Sequence, residues 1–290
     1  MAATLNEVQA RAAVLASEQT LLGLGAGTLA SSLLTLWLPP SVQLPLLELA
    51  TTAGAVLLAC GWLAGAVAWL LDWGRLRSES GPGSVVAVLA ASALAACAAA
   101  AWSRGQLGAH GVAAGIPALR WAVGCAVVVL AAGGLRALGA ATTSVILPTW
   151  QLAQASGHAL LGGWSLLLLM ALASHTVAPE HRFFASVALC VGAAQTVLVT
   201  AWLQRHSGLR LYALDHRQPW PRPWRQAHRI ASVGLLAGLV VPALIVLVSL
   251  QGGYDKGLAL ACAAVAASYH PLRYAAALAN SAVPAPSFEP

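Results

Sequence analysis

The sequence predicts an all-α protein, a polytopic bundle of about eight membrane-spanning helices, and three observations carry that expectation. The 290 residues are 59% hydrophobic and only 8% charged, with mean hydropathy +0.76, against about 25% charged residues in an ordinary soluble domain. The apolar residues gather in runs of about 20, long enough to cross a hydrocarbon core of about 30 Å as helices. These runs are apolar all round, whereas membrane barrels alternate apolar and polar residues in segments of about ten.

In chain order the runs fall at 12–37, 46–71, 84–102, 118–138, 152–173, 183–203, 230–250 and 257–278. The first follows Glu7 and Arg11 and continues to Trp37. It is far longer than the apolar core of a secretory signal, so a span is expected there, not a cleavable leader. The second closes on Asp72, Trp73 and Arg75; the third, Ser84–Trp102, is Ala-rich and only weakly hydrophobic. The fourth has Arg120 and Arg136 near its two ends, the fifth follows Trp150, and the sixth ends near Trp202. The seventh opens after His228, and the eighth ends in a cluster of Arg273 and aromatic residues. Trp37, Trp73, Trp102, Trp121, Trp150, Trp202, Trp220 and Trp224 sit near these run ends, where amphipathic rings favour the headgroup layer. No internal repeat stands out, so an inverted-repeat transporter has no direct support. The whole of 1–290 reads as one membrane domain, with a basic loop at 204–229 and a flexible tail at 279–290.

Charge is distributed unevenly across the connections. With eight crossings, one side holds Arg11, Arg75, Arg77, Arg136, Arg205, Arg210, Arg217, Arg222, Arg225, Arg229 and Arg273. The other holds Arg104, Arg120, Arg182 and Lys256. The positive-inside rule then puts both termini and the 204–229 segment in the cytoplasm of a bacterial inner membrane. The net charge of +6 comes almost wholly from loop ends, so it is no nucleic-acid footprint. Arg217, Trp220, Arg222, Trp224, Arg225 and Arg229 offer two readings. Arg and Trp are favoured interface residues, which suits a docked partner. Juxtamembrane arginines are equally drawn to anionic membrane lipids.

Soluble catalytic machinery is missing from the motifs. Cys60, Cys97, Cys125, Cys190 and Cys262 stand singly within apolar runs, so packing is expected of them and metal ligation is not. No phosphate-binding loop, dinucleotide glycine fingerprint or nucleophile elbow occurs.

Ionisable groups at membrane depth are costly and so are the first candidates for function. Glu18 lies about six residues into the first run, with Gln19 and Thr20 after it. His158 is at similar depth in the fifth run, and His270 is about eight residues from the end of the eighth. His228 stands at the entry to the seventh run; Asp72 and Arg75 close the second. All six belong to the predicted cytoplasmic half. A one-sided polar cluster suits a pocket for a lipid-borne headgroup that exchanges protons, a quinone, better than a channel through both halves. A b-type haem held by His158 and His270 is the rival, since axial imidazoles need matching depth on facing helices. A small-solute transporter is the third class.

Several stretches resemble the membrane-anchor subunit of dimethyl sulfoxide reductase (the DmsC-type branch, related to the NrfD-type polysulfide reductase anchors). They are Ala13–Ser17 leading to Gly23–Gly27, Ser144–Trp150 followed by Gly162-Gly163, and Trp224–Arg229 leading to Val240-Val241-Pro242. Gly257–Leu260 through Tyr269-His270-Pro271-Leu272-Arg273-Tyr274 is similar to the family's final helix. One departure concerns the second run. The family's His-Leu-Gly-x-Pro-x-Arg is replaced by Leu71-Asp72-Trp73-Gly74-Arg75-Leu76-Arg77. The His near the family's quinol is therefore not carried over. Either Asp72 takes its proton-handling role or the quinol site has moved or been lost. The resemblance implies a non-catalytic subunit that binds quinol or quinone (menaquinone or ubiquinone). It would exchange electrons with a four-cluster iron–sulfur subunit, which serves a molybdopterin catalytic subunit.

Overall fold

The computed structural model describes residues 5–32, 40–71, 148–173, 222–252 and 255–281, with Ala90, Leu94 and Gly124 each in helical conformation. The predicted runs at 84–102, 118–138 and 183–203 otherwise lie outside the described residues, as do Asp72, Arg75, Arg217 and Trp220. Every described element is helical: α1 (Leu5–Ser31), α2 (Pro40–Leu71), α3 (Pro148–Ala173), α4 (Arg222–Leu235), a π-helical turn (Leu236–Val240), α5 (Val241–Gly252) and α6 (Asp255–Ser281). Among the described residues three segments are long and apolar enough to cross a membrane: Pro45–Val67, Ser156–Ala173 and Arg225–Ile245. At 1.5 Å per residue the 23 residues of Pro45–Val67 span about 35 Å. The chain is thus a helical protein with the means to sit in a bilayer.

Two helices sit at the centre. α1 packs against α2, α3 and α6; α6 packs against α1, α3, α4, the π turn and α5. Both are rich in small and polar residues, and their neighbours carry the exposed apolar side chains Val56, Leu63, Val67, Val233, Leu244 and Val248. That arrangement follows from the bilayer as solvent. Lipid is as apolar as leucine, so interior contacts are chosen for close backbone approach and hydrogen bonding instead.

Glycine sets the closest crossings. A Cβ on Gly27 would collide with the Ala159 carbonyl, and one on Gly163 with the backbone of Gly27 and Thr28. Thr28 reinforces this crossing, its Oγ1 donating to Leu24 O at 2.7 Å and lying 3.5 Å from Gly163 O. Between α1 and α2 the contacts run Leu22 with Gly61, Gly25 with Leu58 and Leu29 with Gly54. Residue numbers rise on one helix as they fall on the other, so the pair is antiparallel. α4 and α6 are antiparallel by the same test, Gly234 meeting Leu272 and Gly238 meeting Ser268. Thr20 meets His270, and Gln9 Nε2 donates to Gln226 Oε1 at 3.0 Å. The starts of α1 and α4 and the end of α6 therefore share one end of the bundle.

The structure extends the sequence-derived limits. α1 begins at Leu5, α2 at Pro40, α3 at Pro148 and α4 at Arg222, and α6 runs from Asp255 to Ser281. The last eight residues of the basic 204–229 segment are thus helix, not loop. The π turn also has a local cause. Pro242 has no N–H to give to Gly238 O, so the ordinary ladder is interrupted there. Val241 N–H instead bonds to Leu236 O, five residues back. The wider turn presents Gly238 flat against Ser268, where a Cβ would strike the Ser268 side chain. Gly238→Ala is expected to cost about 2 kcal/mol through overpacking, read as lost thermal stability in detergent by circular dichroism. Adding Ser268→Gly to that variant should recover most of the loss.

Candidate functional site

The strongest polar assembly lies midway along the bundle, where α1, α3 and α6 meet, and Tyr269 is its hub. Tyr269 is 1% exposed. Its hydroxyl end lies against Gly23, which has no side chain to obstruct it, and its ring edge lies near Gly162. His158, 3% exposed, meets the Tyr269 ring edge to face, with centroids 4.9 Å apart and planes at 71°. Such pairs contribute about 1 kcal/mol beyond the area they bury. Arg273, one turn after Tyr269, places its guanidinium carbon 4.9 Å from the ring centroid, a cation–π contact whose strength grows away from water.

His158 leaves one demand unmet. Its Nε2 is buried and has no hydrogen-bond partner among the described residues. An isolated polar atom of this kind costs about 1–3 kcal/mol in desolvation, and buried polar groups are satisfied in the great majority of cases.

His270 is adjacent in sequence but belongs to another face of α6. It is exposed, and its Nδ1 lies 3.2 Å from Thr20 Oγ1 across the α1–α6 seam. Thr20 also donates to Ala16 O at 2.6 Å; the donor role toward His270 depends on the imidazole tautomer. His270 is thus a surface imidazole held beside a buried Tyr–His pair.

Glu18 is buried at 1% exposure, as its depth in the sequence suggests, but it occupies a different side of α1. It shares a helical stripe with Leu22, Gly25 and Leu29, the residues that face α2. Continuing the α1–α2 register by one turn brings Glu18 level with Gly65. Thr20, Gly23 and Gly27 point the other way, toward α6 and α3. The sequence expectation of one pocket holding Glu18, His158 and His270 is accordingly divided: Glu18 on the α2 side, His158 and His270 on the far side of α1. His228 lies further away, half-buried in α4 near the basal end, its carbonyl accepting from Ser232 Oγ at 2.9 Å.

Tyr269 is followed by twelve more residues of α6 (269 to 281), about 18 Å of helix, three of them beyond the apolar run that ends at Leu278. Of the basic residues, Arg222, Arg225 and Arg229 are exposed on α4, and Trp224 stands in the same helix. Among the described residues no three of His, Cys, Asp and Glu gather as a metal-binding group. Sequence reasoning placed Tyr269 and Arg273 only within an aromatic–arginine cluster. Their spacing of four was the signal available, since it stacks two side chains on one helix face. No family model, curated protein or solved structure matches this chain.

Proposed function

We propose that this chain is the membrane-anchor subunit of a molybdopterin oxidoreductase complex of the dimethyl sulfoxide reductase type, and that it binds quinol or quinone beside His158 and Tyr269. The observation that carries the reading is the buried His158 Nε2, without a partner among the described residues, in a bundle with helices long and apolar enough to cross a membrane. A quinone is a small planar headgroup with two oxygens, and it reaches such a site from the lipid. When bound, quinol supplies two electrons and two protons. His158 Nε2 hydrogen-bonds to one oxygen, and Tyr269 fixes the orientation of the imidazole. Arg273 also packs against the Tyr269 ring. Of the two protons, His158 would accept one, and His270, exposed and bonded to Thr20, would pass the other to water. Electrons pass to or from an iron–sulfur subunit docked at the bundle end where α1 and α4 begin.

The packing favours a quinone over a haem. The α1–α3 crossing is closed by backbone contact at Gly27 and Gly163, one turn from His158, which leaves no gap there for a macrocycle. The helix directions are in keeping with eight crossings and with both termini in the cytoplasm of an inner membrane. α1 and α4 run parallel, and α2 and α6 run opposite to them, which requires an even number of crossings between α2 and α4.

The test is quinol binding and quinol-dependent reduction by the assembled complex. His158→Ala is expected to lower quinol affinity at least tenfold and abolish turnover while leaving assembly intact. Glu18→Gln, on the other side of α1, is expected to leave affinity within about twofold. Wild-type turnover in His158→Ala would sink the assignment, and a Soret band in the purified protein would replace it with the haem reading.

A further inference from the structure

We infer that the outward face of α4 is a binding site for an anionic phospholipid headgroup, with Arg222, Arg225 and Arg229 as its cationic ladder. The three arginines are exposed, and their spacing of three and four residues places them on one helical stripe. Opposite them, Ala227 and Ala231 are buried at 1% exposure, so the stripe faces away from the bundle. From Arg222 to Arg229 the helix rises about 10 Å at 1.5 Å per residue, comparable with the headgroup layer on one side of a bilayer.

What lies below the arginines identifies the occupant. The same stripe continues through Val233, Leu236, Val241, Leu244 and Val248, all exposed. The step from Leu236 to Val241 is five residues instead of four, and it coincides with the π turn. The extra residue there keeps the exposed stripe in line instead of rotating it into the interior. A single face therefore presents positive charge above and unbroken aliphatic surface below. This is the profile of one phospholipid, phosphate above and acyl chain beneath. A soluble protein would meet only the upper half and leave the aliphatic part unaccounted for. Arg225 and Arg229 fall within the candidate span Arg225–Ile245, which is tolerable because long arginine side chains extend to the headgroup level. No acidic residue occurs between Arg222 and Gly252, so nothing in that segment opposes an anion. The inference stands apart from the quinol reading, since it uses neither His158 nor Tyr269.

The test uses the full chain reconstituted in nanodiscs of phosphatidylcholine doped with phosphatidylglycerol, then released for native mass spectrometry. Each juxtamembrane arginine contributes about fivefold to affinity for an anionic surface. Wild-type protein is therefore expected to retain phosphatidylglycerol in strong preference to phosphatidylcholine. The triple variant Arg222→Gln/Arg225→Gln/Arg229→Gln should lose on the order of a hundredfold of that preference. Arg229→Gln alone should lose about fivefold, which keeps the test decisive if the triple variant folds poorly. The wild-type preference should also weaken with added salt, as charge attraction does, and inorganic phosphate should not displace the lipid. An unchanged lipid preference in the variants, or a preference met equally by free phosphate, overturns the inference. So does unchanged lipid retention accompanied by loss of a bound polypeptide, which would assign the arginines to a protein partner.

Discussion

Gly163→Leu is expected to be the most damaging single substitution in the described bundle, costing about 3 kcal/mol or more, at the upper end of overpacking effects. The reason is that its neighbours are backbone, not side chain. A Cβ there strikes the Gly27 carbonyl carbon and the Thr28 amide nitrogen, and neither can turn aside without moving all of α1. Displacing α1 would also loosen its contacts with α2 and α6, because α1 is common to all three interfaces. Gly27→Leu should behave alike, since its Cβ meets the Ala159 carbonyl. The control is Gly124, where a Cβ meets nothing within 4 Å. Gly124→Ala should match wild type or gain up to about 1 kcal/mol, the preference of a helix for alanine over glycine. Thermal unfolding in one detergent, compared across the three variants, checks both arms.

Tyr269→Ala is expected to cost about 3–5 kcal/mol, the range for deleting a buried aromatic ring, and to abolish quinol binding with it. The ring is the shared contact of His158 and Arg273, so its loss frees the imidazole and leaves the guanidinium over a cavity. Tyr269→Phe separates the two consequences. It keeps the ring contacts and removes only the hydroxyl beside Gly23, at a cost of about 1 kcal/mol. A double-mutant cycle between Tyr269 and His158 should return a coupling of about 1 kcal/mol, the value of an edge-to-face pair. Zero coupling would mean that the two rings touch without supporting one another.

Much of the helical framework was readable from hydropathy because membrane helices must satisfy their own backbone in lipid. The apolar runs at 46–71 and 152–173 end where α2 and α3 end, at Leu71 and Ala173. The beginnings of α1 and α4 were not readable in this way. Asn6, Glu7 and Gln9 are polar, as are Arg222, Arg225 and Gln226, yet the helices include them. Helical conformation continues past the apolar stretch wherever the next turn can pack, as Gln9 does against Gln226. The π turn was only half legible: Pro242 marks a disruption, but its form depends on Gly238 approaching Ser268 from another helix.

The site was legible in its members and not in its grouping. Counting residues inward from a run end gives the height of Glu18, His158 and His270, but not their direction around the helix. Direction came from the glycine contacts of α1, which put Leu22 and Gly25 against α2 while Thr20 and Gly23 face α6. Two residues apart in sequence, Glu18 and Thr20 thus serve opposite sides of one helix. Tyr269 attracted less attention than the histidines flanking it in space and sequence, because tyrosine carries no charge to flag it at membrane depth. Its importance is tertiary, and lies in what its ring touches.

The central claim is that a quinone headgroup sits against His158 and Tyr269, and photoaffinity labelling tests it most directly. The full chain, reconstituted in lipid, would be irradiated with an azido-quinone and the labelled peptides mapped by mass spectrometry. Label is predicted on the α3 peptide containing His158 and the α6 peptide containing Tyr269, displaced by unlabelled quinone. It should be lost in Tyr269→Ala while the Glu18→Gln protein labels normally. Label confined to α2, or spread over the lipid-facing residues of α5 without displacement, would contradict the account.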